Sequence, residues 1–181
     1  MIVPKKVFLV KGLGYHKDKL ASFEDALRDA GIAPYNLVYV SSILPPKCEV
    51  ISAEEGLKEL TPGQITYCVM SRIETCEPSR LIASSVGLAV PNGEDRYGYI
   101  SEYHAYGVNS IVAGDYAEDL AATMLATILG IDFDPDEAWD ARKQHFVASG
   151  EIINTSAISV AAEGAEKGQW TTALAAAVFL Y

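Results

Sequence analysis

The chain has 181 residues, of which half are hydrophobic and 21% are charged, and its net charge is −10. This length suits one domain with one core, and the composition is that of a folded rather than a disordered chain. The negative charge without a basic cluster argues against nucleic-acid binding. Since no apolar run approaches 18 residues and the start lacks a signal-peptide layout, we expect a cytoplasmic protein with no membrane partner.

The three cysteines predict free thiols rather than a disulfide framework or a metal site. Cys48, Cys68 and Cys76 are an odd number and contain no Cys-x-x-Cys motif. No pair of histidines lies near them. Such cysteines are typical of a reducing compartment.

The chain begins with a predicted strand, turn and helix. Residues 6–11 are rich in β-formers and predict a strand, and Gly12 and Gly14 after it predict a turn. Gly-x-Gly after a strand also occurs in phosphate-binding loops, but the third glycine and the Lys-Ser/Thr pair of such loops are missing here. Residues 17–30 predict a helix.

One face of this helix combines apolar side chains with a carboxylate. Leu20, Phe23, Glu24 and Leu27 share it by their 3-4-7 spacing, whereas Asp18, Asp25 and Arg28 are expected elsewhere. A carboxylate on an apolar stripe needs a partner, since an unpaired buried charge is costly. Glu24 is therefore either an anion that binds a cationic ligand, with a guanidinium as the best partner, or a helix-edge residue paired with Lys17 or Lys19.

The next strand ends in two adjacent serines. Residues 37–40 are four β-formers and predict a buried strand, Ser41 and Ser42 follow, and Pro45-Pro46 forces a turn just after them. In this position the Ser42 hydroxyl could attack the Ser41 carbonyl. The resulting ester would undergo β-elimination, and the dehydroalanine would hydrolyse to a pyruvoyl group. The alternative is a serine pair that only caps or turns the chain.

The remaining elements predict a mixed architecture. Strands are predicted over about 65–72, 80–90, 97–106, 152–162 and 171–181, and helices over 117–129 and 136–146. Since strands and helices do not alternate regularly, the fold class is α+β, with sheets covered by helices.

Glu102 is a candidate acid within the strand 97–106. Its face is shared with Ile100 and His104, so the carboxylate should point to a partly buried surface. Burial disfavours the charged form and would raise the pKa of Glu102. A carboxylic acid that keeps its proton near neutrality can protonate a carbanion. The alternatives are a solvated strand glutamate, or His104 in the same role.

Four sequence blocks, in order, resemble the pyruvoyl-dependent arginine decarboxylase family. They are residues 20–32, Asn36 to Pro46, Tyr99 to Tyr103, and 157–181. The resemblance implies an αββα sandwich over 1–181 that assembles as a homotrimer, possibly as a dimer of trimers. It also implies self-cleavage into a small chain, 1–41, and a large chain, 42–181.

The resemblance further implies the reaction and the cofactor. L-Arginine would form a Schiff base with a pyruvoyl group made from Ser42 and would yield agmatine and carbon dioxide. Glu102 matches the family's proton donor, and Asn36 matches an asparagine implicated in processing and in the active site. Ser41 becomes the carboxyl end of the small chain. Agmatine could serve either polyamine biosynthesis or acid tolerance.

The substrate site implied by the resemblance includes one departure from the family. Glu24 stands where the family has an aspartate on the substrate side, with Leu20, Leu27 and Ile43 as the other expected contacts. Glutamate is one methylene longer, which leaves open another amino acid such as lysine, ornithine or histidine as substrate. Residues 33–35, Ala-Pro-Tyr, also depart from the family's glycine-containing turn. An unprocessed, non-enzymatic trimer remains the alternative of a different class.

Overall fold

The computed structural model describes residues 3–93, 95–135, 139–140, 145–148 and 151–181. Its helices are α1 (Lys19–Asp29), α2 (Ala53–Lys58) and α3 (Ser110–Leu129), with a 3-10 turn at Glu166–Gly168. Its strands are β1 (Lys6–His16), β2 (Asn36–Tyr39), β3 (Ile43–Leu44), β4 (Glu49–Val50), β5 (Ile65–Thr75), β6 (Leu81–Pro91), β7 (Gly98–Tyr106), β8 (Trp139–Asp140), β9 (His145–Ala148), β10 (Glu151–Glu163) and β11 (Trp170–Leu180).

The strands form two sheets that pack face to face. The first sheet has the order β2-β5-β11-β1-β4, and the second has the order β3-β7-β6-β10-β9-β8. α1 lies on β1 and β11 of the first sheet, and α3 lies on β6, β7 and β10 of the second. The layers are therefore helix, sheet, sheet and helix, which confirms the predicted α+β class and the αββα sandwich.

The last strand, β11, lies at the centre of the first sheet and contributes to both cores. Leu174, Ala176, Val178 and Leu180 pack with α1, while Ala175, Ala177 and Phe179 pack toward the second sheet. This alternation is the period of a strand with both faces covered. Its alanines let the neighbouring layers approach closely.

The predicted turn at Gly12 and Gly14 is wrong, because β1 continues through both residues to His16. A Cβ atom at Gly14 would overlap the carbonyl oxygen of Ser22, and one at Gly12 would overlap that of Ala26. The glycines thus let the backbone of α1 lie directly on β1.

The helix predictions differ from the structure at several boundaries. α3 begins seven residues before the predicted 117, because the Asn109 side chain accepts a hydrogen bond from the Val112 N–H at 2.9 Å and caps it. It ends at Gly130, whose φ is 69°. The predicted helix over 136–146 is wrong at residues 139–140 and 145–146, which lie in strands, and its other residues lie outside the described part. No α-helix among the described residues is long and apolar enough to cross a membrane.

Candidate active site

Ser41 and Ser42 link the two sheets. β2 is an edge strand of the first sheet and β3 is an edge strand of the second, so the chain crosses between layers at this pair. The Val40 N–H donates to the Cys68 carbonyl at 3.0 Å, and the Ile100 N–H donates to the Ser42 carbonyl at 2.7 Å. Each side of the Ser41–Ser42 peptide is therefore hydrogen-bonded to a different sheet.

The strand before the serines is not buried as predicted. In β2, Leu37 is half-buried and the other three residues are exposed. This exposure follows from the position of β2, which is paired along one edge only, with β5. The serine pair therefore lies at an open edge of the sandwich.

The predicted turn after the serines is present. The Cys48 N–H donates to the Pro45 carbonyl at 3.2 Å, which closes a four-residue turn. Lys47, the third residue, has a φ of 62°, the sign that a type II turn requires there. Two prolines restrict the chain before this residue.

A second serine pair shows why the location of the first one matters. Ser84 and Ser85 are fully buried in β6, which is paired with β7 on one side and with β10 on the other. The Ser84 hydroxyl donates to the Ser71 hydroxyl at 2.9 Å, and the Ser85 hydroxyl donates to the Ile158 carbonyl at 3.1 Å. These hydroxyls are engaged and their backbone is fixed. Ser41 and Ser42, by contrast, lie between β2 and β3, with a single cross-strand hydrogen bond among the described residues, from the Ile100 N–H to the Ser42 carbonyl.

Glu102 lies beside the crossover on β7. Since Ile43 pairs with Tyr99, Ser42 comes opposite Ile100, and Glu102 is two residues further along the strand. Such diagonal neighbours in an antiparallel pair have Cα atoms about 7–8 Å apart. The structure thus brings Glu102 and Ser42 to the same edge, with Ile100 buried between the sheets as the predicted face requires.

Burial raises the pKa of the Glu102 carboxyl, and the neighbouring His104 lowers it by a smaller amount. This direction agrees with the pKa shift predicted from the strand pattern. The side chain retains contact with solvent, because the residue as a whole is exposed. Its charge also reaches the first sheet: burial, with a smaller contribution from Glu102, raises the pKa of the Cys68 thiol to about 12. Glu102 therefore lies where the two sheets meet.

The predicted residues on α1 line one open groove. Its volume is about 650 Å³, and it is lined by Asp18, Leu20, Ala21, Phe23, Glu24 and Leu27. Within it, the Glu24 carboxylate accepts from the Nε of Arg28 at 3.3 Å, one helical turn away. The partner is thus Arg28, not Lys17 or Lys19. The prediction that Asp18 and Arg28 lie away from this face is wrong, since Asp18 lines the groove and Arg28 pairs with Glu24. The i,i+4 spacing was the sequence signal for this pair.

The other predicted substrate contact, Ile43, lines a second cavity. This cavity measures about 360 Å³ and is lined by Pro4, Val40, Ser41, Ile43, Pro45, Tyr67, Phe179 and Tyr181. It shares no residue with the α1 groove. Glu24 and Ser41 therefore line separate concavities of this chain.

Asn36 begins β2, at the end of the strand away from the serines. Its side-chain amide donates to the Gly63 carbonyl at 2.7 Å. The five residue-to-residue steps from Asn36 to Ser41 span ~16 Å at the rise of a β-strand. The structure therefore does not bring this amide to Ser41 of the same chain.

Among the described residues, no group of His, Cys, Asp or Glu side chains is arranged to hold a metal ion. Cys48 and Cys68 are buried free thiols, and Cys76 is an exposed one. A carbonyl cofactor made from the chain itself fits the geometry at residue 42. Position 42 is half-buried, its backbone oxygen is already held by Ile100, and the adjacent residues Ser41 and Ile43 open into a cavity.

This four-layer sandwich, with a serine pair at the crossover and a carboxyl of raised pKa beside it, has the arrangement expected of pyruvoyl-dependent decarboxylases. A sequence model of the pyruvoyl-dependent arginine decarboxylase family matches residues 6–181. The chain is 59% identical to pyruvoyl-dependent arginine decarboxylase 2 of Methanosarcina acetivorans, covering 99% of this chain and 98% of that protein. It is 58% identical to the pyruvoyl-dependent arginine decarboxylase of Methanococcoides burtonii, covering 99% of each. It is also 59% identical to a probable pyruvoyl-dependent arginine decarboxylase of Chlorobaculum tepidum, covering 98% of each. The chain belongs to the pyruvoyl-dependent arginine decarboxylase family.

Proposed function

We propose that the chain cleaves itself between Ser41 and Ser42 and decarboxylates L-arginine to agmatine and carbon dioxide. The observation that carries the processing step is the crossover, where the Ser41–Ser42 peptide lies outside both ladders while its flanks are held by Cys68 and Ile100. The assignment of arginine as the substrate is supported by 58–59% sequence identity, over nearly the full length, to relatives named for this activity.

The pyruvoyl group supplies the carbonyl that accepts electrons as carbon dioxide leaves. The residues of this chain orient it and handle the proton. The Ile100 N–H fixes the backbone oxygen of residue 42, and Ile43 lines the cavity beside it. Glu102, whose pKa is raised by burial, donates the proton to the substrate carbon that has lost carbon dioxide.

The guanidinium end of arginine binds Glu24 in the α1 groove of an adjacent protomer, between Leu20 and Leu27. Two features of the single chain support this arrangement. The groove and the cavity at Ser41 do not meet within one protomer. Leu20 on the groove is 79% exposed, and Ile43 at the cavity is 43% exposed, so both present apolar surface that a neighbour would cover.

We propose a homotrimer as the smallest active unit, with a dimer of trimers as its possible higher form. In it, Asn36 would approach Ser41 from a neighbouring subunit. A cytoplasmic location agrees with the free thiols. Light scattering of the purified protein tests the assembly: a monomer with full activity would overturn the shared site.

Denaturing mass spectrometry tests the processing step. Cleavage predicts a small chain of about 4.5 kDa, at ~110 Da for each of its 41 residues, and a large chain that reacts with hydrazine. Ser42→Ala should leave one intact chain that does not react. Ser84→Ala should cleave normally, since that pair is locked in β6. An intact wild-type chain after prolonged incubation would favour a non-enzymatic trimer.

Release of carbon dioxide from arginine, lysine, ornithine and histidine tests the substrate. Arginine should rank first, because a guanidinium can bind the Glu24 carboxylate with two parallel hydrogen bonds and an ammonium cannot. Glu24→Asp shortens the arm by one methylene and is the matched variant. A higher rate with another amino acid would overturn the arginine assignment without affecting the cleavage result.

A further inference from the structure

Arg28 places a guanidinium on the carboxylate that we assign to the substrate's guanidinium. Its Nε lies 3.3 Å from Glu24 Oε1, and its Nη1 lies 3.8 Å from Asp25 Oδ1. All three residues belong to α1, and Glu24 and Phe23 line the groove. The side chain of Arg28 is 67% exposed, so no packed core has to rearrange for it to change partners.

We infer that Arg28 is an internal competitor for the substrate's guanidinium, shared between Glu24 and Asp25 when the groove is empty and left on Asp25 alone when arginine or agmatine binds. This inference rests on the proposed function, since it takes Glu24 as the substrate's partner. It adds a residue that sets the affinity of the site for both substrate and product.

The geometry of the contact makes Arg28 displaceable. Only its Nε reaches Glu24, through one oxygen, and the distance is longer than the 2.7–2.9 Å usual for charge-assisted hydrogen bonds. An incoming guanidinium can instead engage both carboxylate oxygens. Exposed ion pairs one turn apart on a helix are weak, so the displacement should change affinity by about twofold, equivalent to ~0.4 kcal/mol.

Asp25 gives the displaced cation a second partner. It precedes Arg28 by three residues, a spacing at which side chains on a helix are neighbours. Asp25 is not among the residues that line the groove. With Asp25 present, Arg28 therefore remains paired in either position, which keeps the cost of displacement low.

Agmatine titration of the processed enzyme by calorimetry, together with arginine kinetics, tests the inference. Arg28→Gln should lower the agmatine Kd and the arginine KM about twofold and leave kcat unchanged. Lys17→Gln removes an equal charge just before α1 and should not lower either. Asp25→Asn should raise the Kd in the wild-type background and have no effect in the Arg28→Gln background, whereas a long-range effect of its charge would persist in both.

The outcomes separate this inference from the proposed function. If Glu24→Gln weakens agmatine binding tenfold or more and Arg28→Gln leaves the Kd unchanged or raises it, the competitor role is wrong and the guanidinium site stands. If Glu24→Gln itself leaves the Kd unchanged, the guanidinium assignment fails. A twofold gain in Arg28→Gln that also occurs in Lys17→Gln would reduce the effect to general electrostatics and overturn the competitor role.

Discussion

Gly14→Ala should separate α1 from the sheet and weaken ligand binding at the same time. At this position β1 touches the helix backbone: an added Cβ would overlap the Ser22 carbonyl oxygen and lie 3.0 Å from its carbon. The obstacle is backbone rather than a flexible side chain, so α1 itself must move. The helix also carries Glu24, which ties this packing contact to the proposed guanidinium site.

The magnitude follows from two contacts. Forcing an extra methyl group into a well-packed interface costs about 1–3 kcal/mol. Moving α1 also strains the hydrogen bond between the buried Ser22 and Thr172 hydroxyls, now 2.7 Å apart, whose loss adds about 1 kcal/mol. The sum, about 2–4 kcal/mol, lowers the melting temperature of a domain of this size by roughly 5–15 °C.

Thermal unfolding and agmatine calorimetry measure the two effects. Gly107→Ala is the control, because Gly107 has a φ of 77° with open space around it. Backbone strain should lower the free energy of unfolding of Gly107→Ala by about 1 kcal/mol, and agmatine binding should stay unchanged. Gly14→Ala should lose more stability and should also weaken agmatine binding. A Gly14→Ala protein with the same melting temperature as the wild type would refute the close approach of α1 to β1.

Three further changes test individual contacts. Burial raises the pKa of Glu102, so the stability that this group contributes is full below about pH 4 and is lost as pH rises through the raised pKa. The free energy of unfolding of Glu102→Gln should therefore increase relative to that of the wild type as pH rises toward neutrality. Urea midpoints that differ by a constant amount at every pH would contradict this. Ser52→Ala removes the capping box that Ser52 forms with Glu55 at the start of α2 and should cost about 1 kcal/mol in denaturant titrations, with no loss arguing against the cap. Lys47→Gly relieves the strain of the positive φ in the turn after the serines and should raise the free energy of unfolding by about 0.5–1 kcal/mol. A lower free energy of unfolding would show that the contacts of the lysine side chain outweigh the strain.

The long elements could be predicted from the sequence because their patterns are local. β7 and β11 were found within one residue of their bounds, and the α+β class followed from the mixture of elements. The turn predicted at Gly12 and Gly14 is wrong because these glycines allow the backbone of α1 to approach β1 closely, and that contact is visible only in the packed structure. β3 and β4 are two residues each, too short for any period to show. The start of α2 also has a local signal in the sequence, the capping box formed by Ser52 and Glu55.

The site was predictable where it depends on position along the chain. The turn after the serines follows from proline chemistry, and the side of β7 that Glu102 shares with Ile100 follows from strand periodicity, whereas the exposure of β2 before the serines does not. The partner of Asn36 does not, because Gly63 is 27 residues away and comes close only through the parallel pairing of β2 with β5. The separation of Glu24 from the serines within one protomer also depends on how the layers stack, which no local pattern encodes.

The link between the sheets also affects how the protein can recover from unfolding. Residues 1–41 supply β1, which pairs with β11 along its whole length in the middle of the first sheet. Cutting the link would leave this segment in place, held by the pairing of β1 with β11 and by the packing of its own helix, α1, on β11. Once melted, however, the two pieces would have to find each other in solution, so renaturation of the mature form should depend on concentration and that of Ser42→Ala should not. Under the proposed processing, folding would therefore have to precede the cut, and the cut would make unfolding harder to reverse.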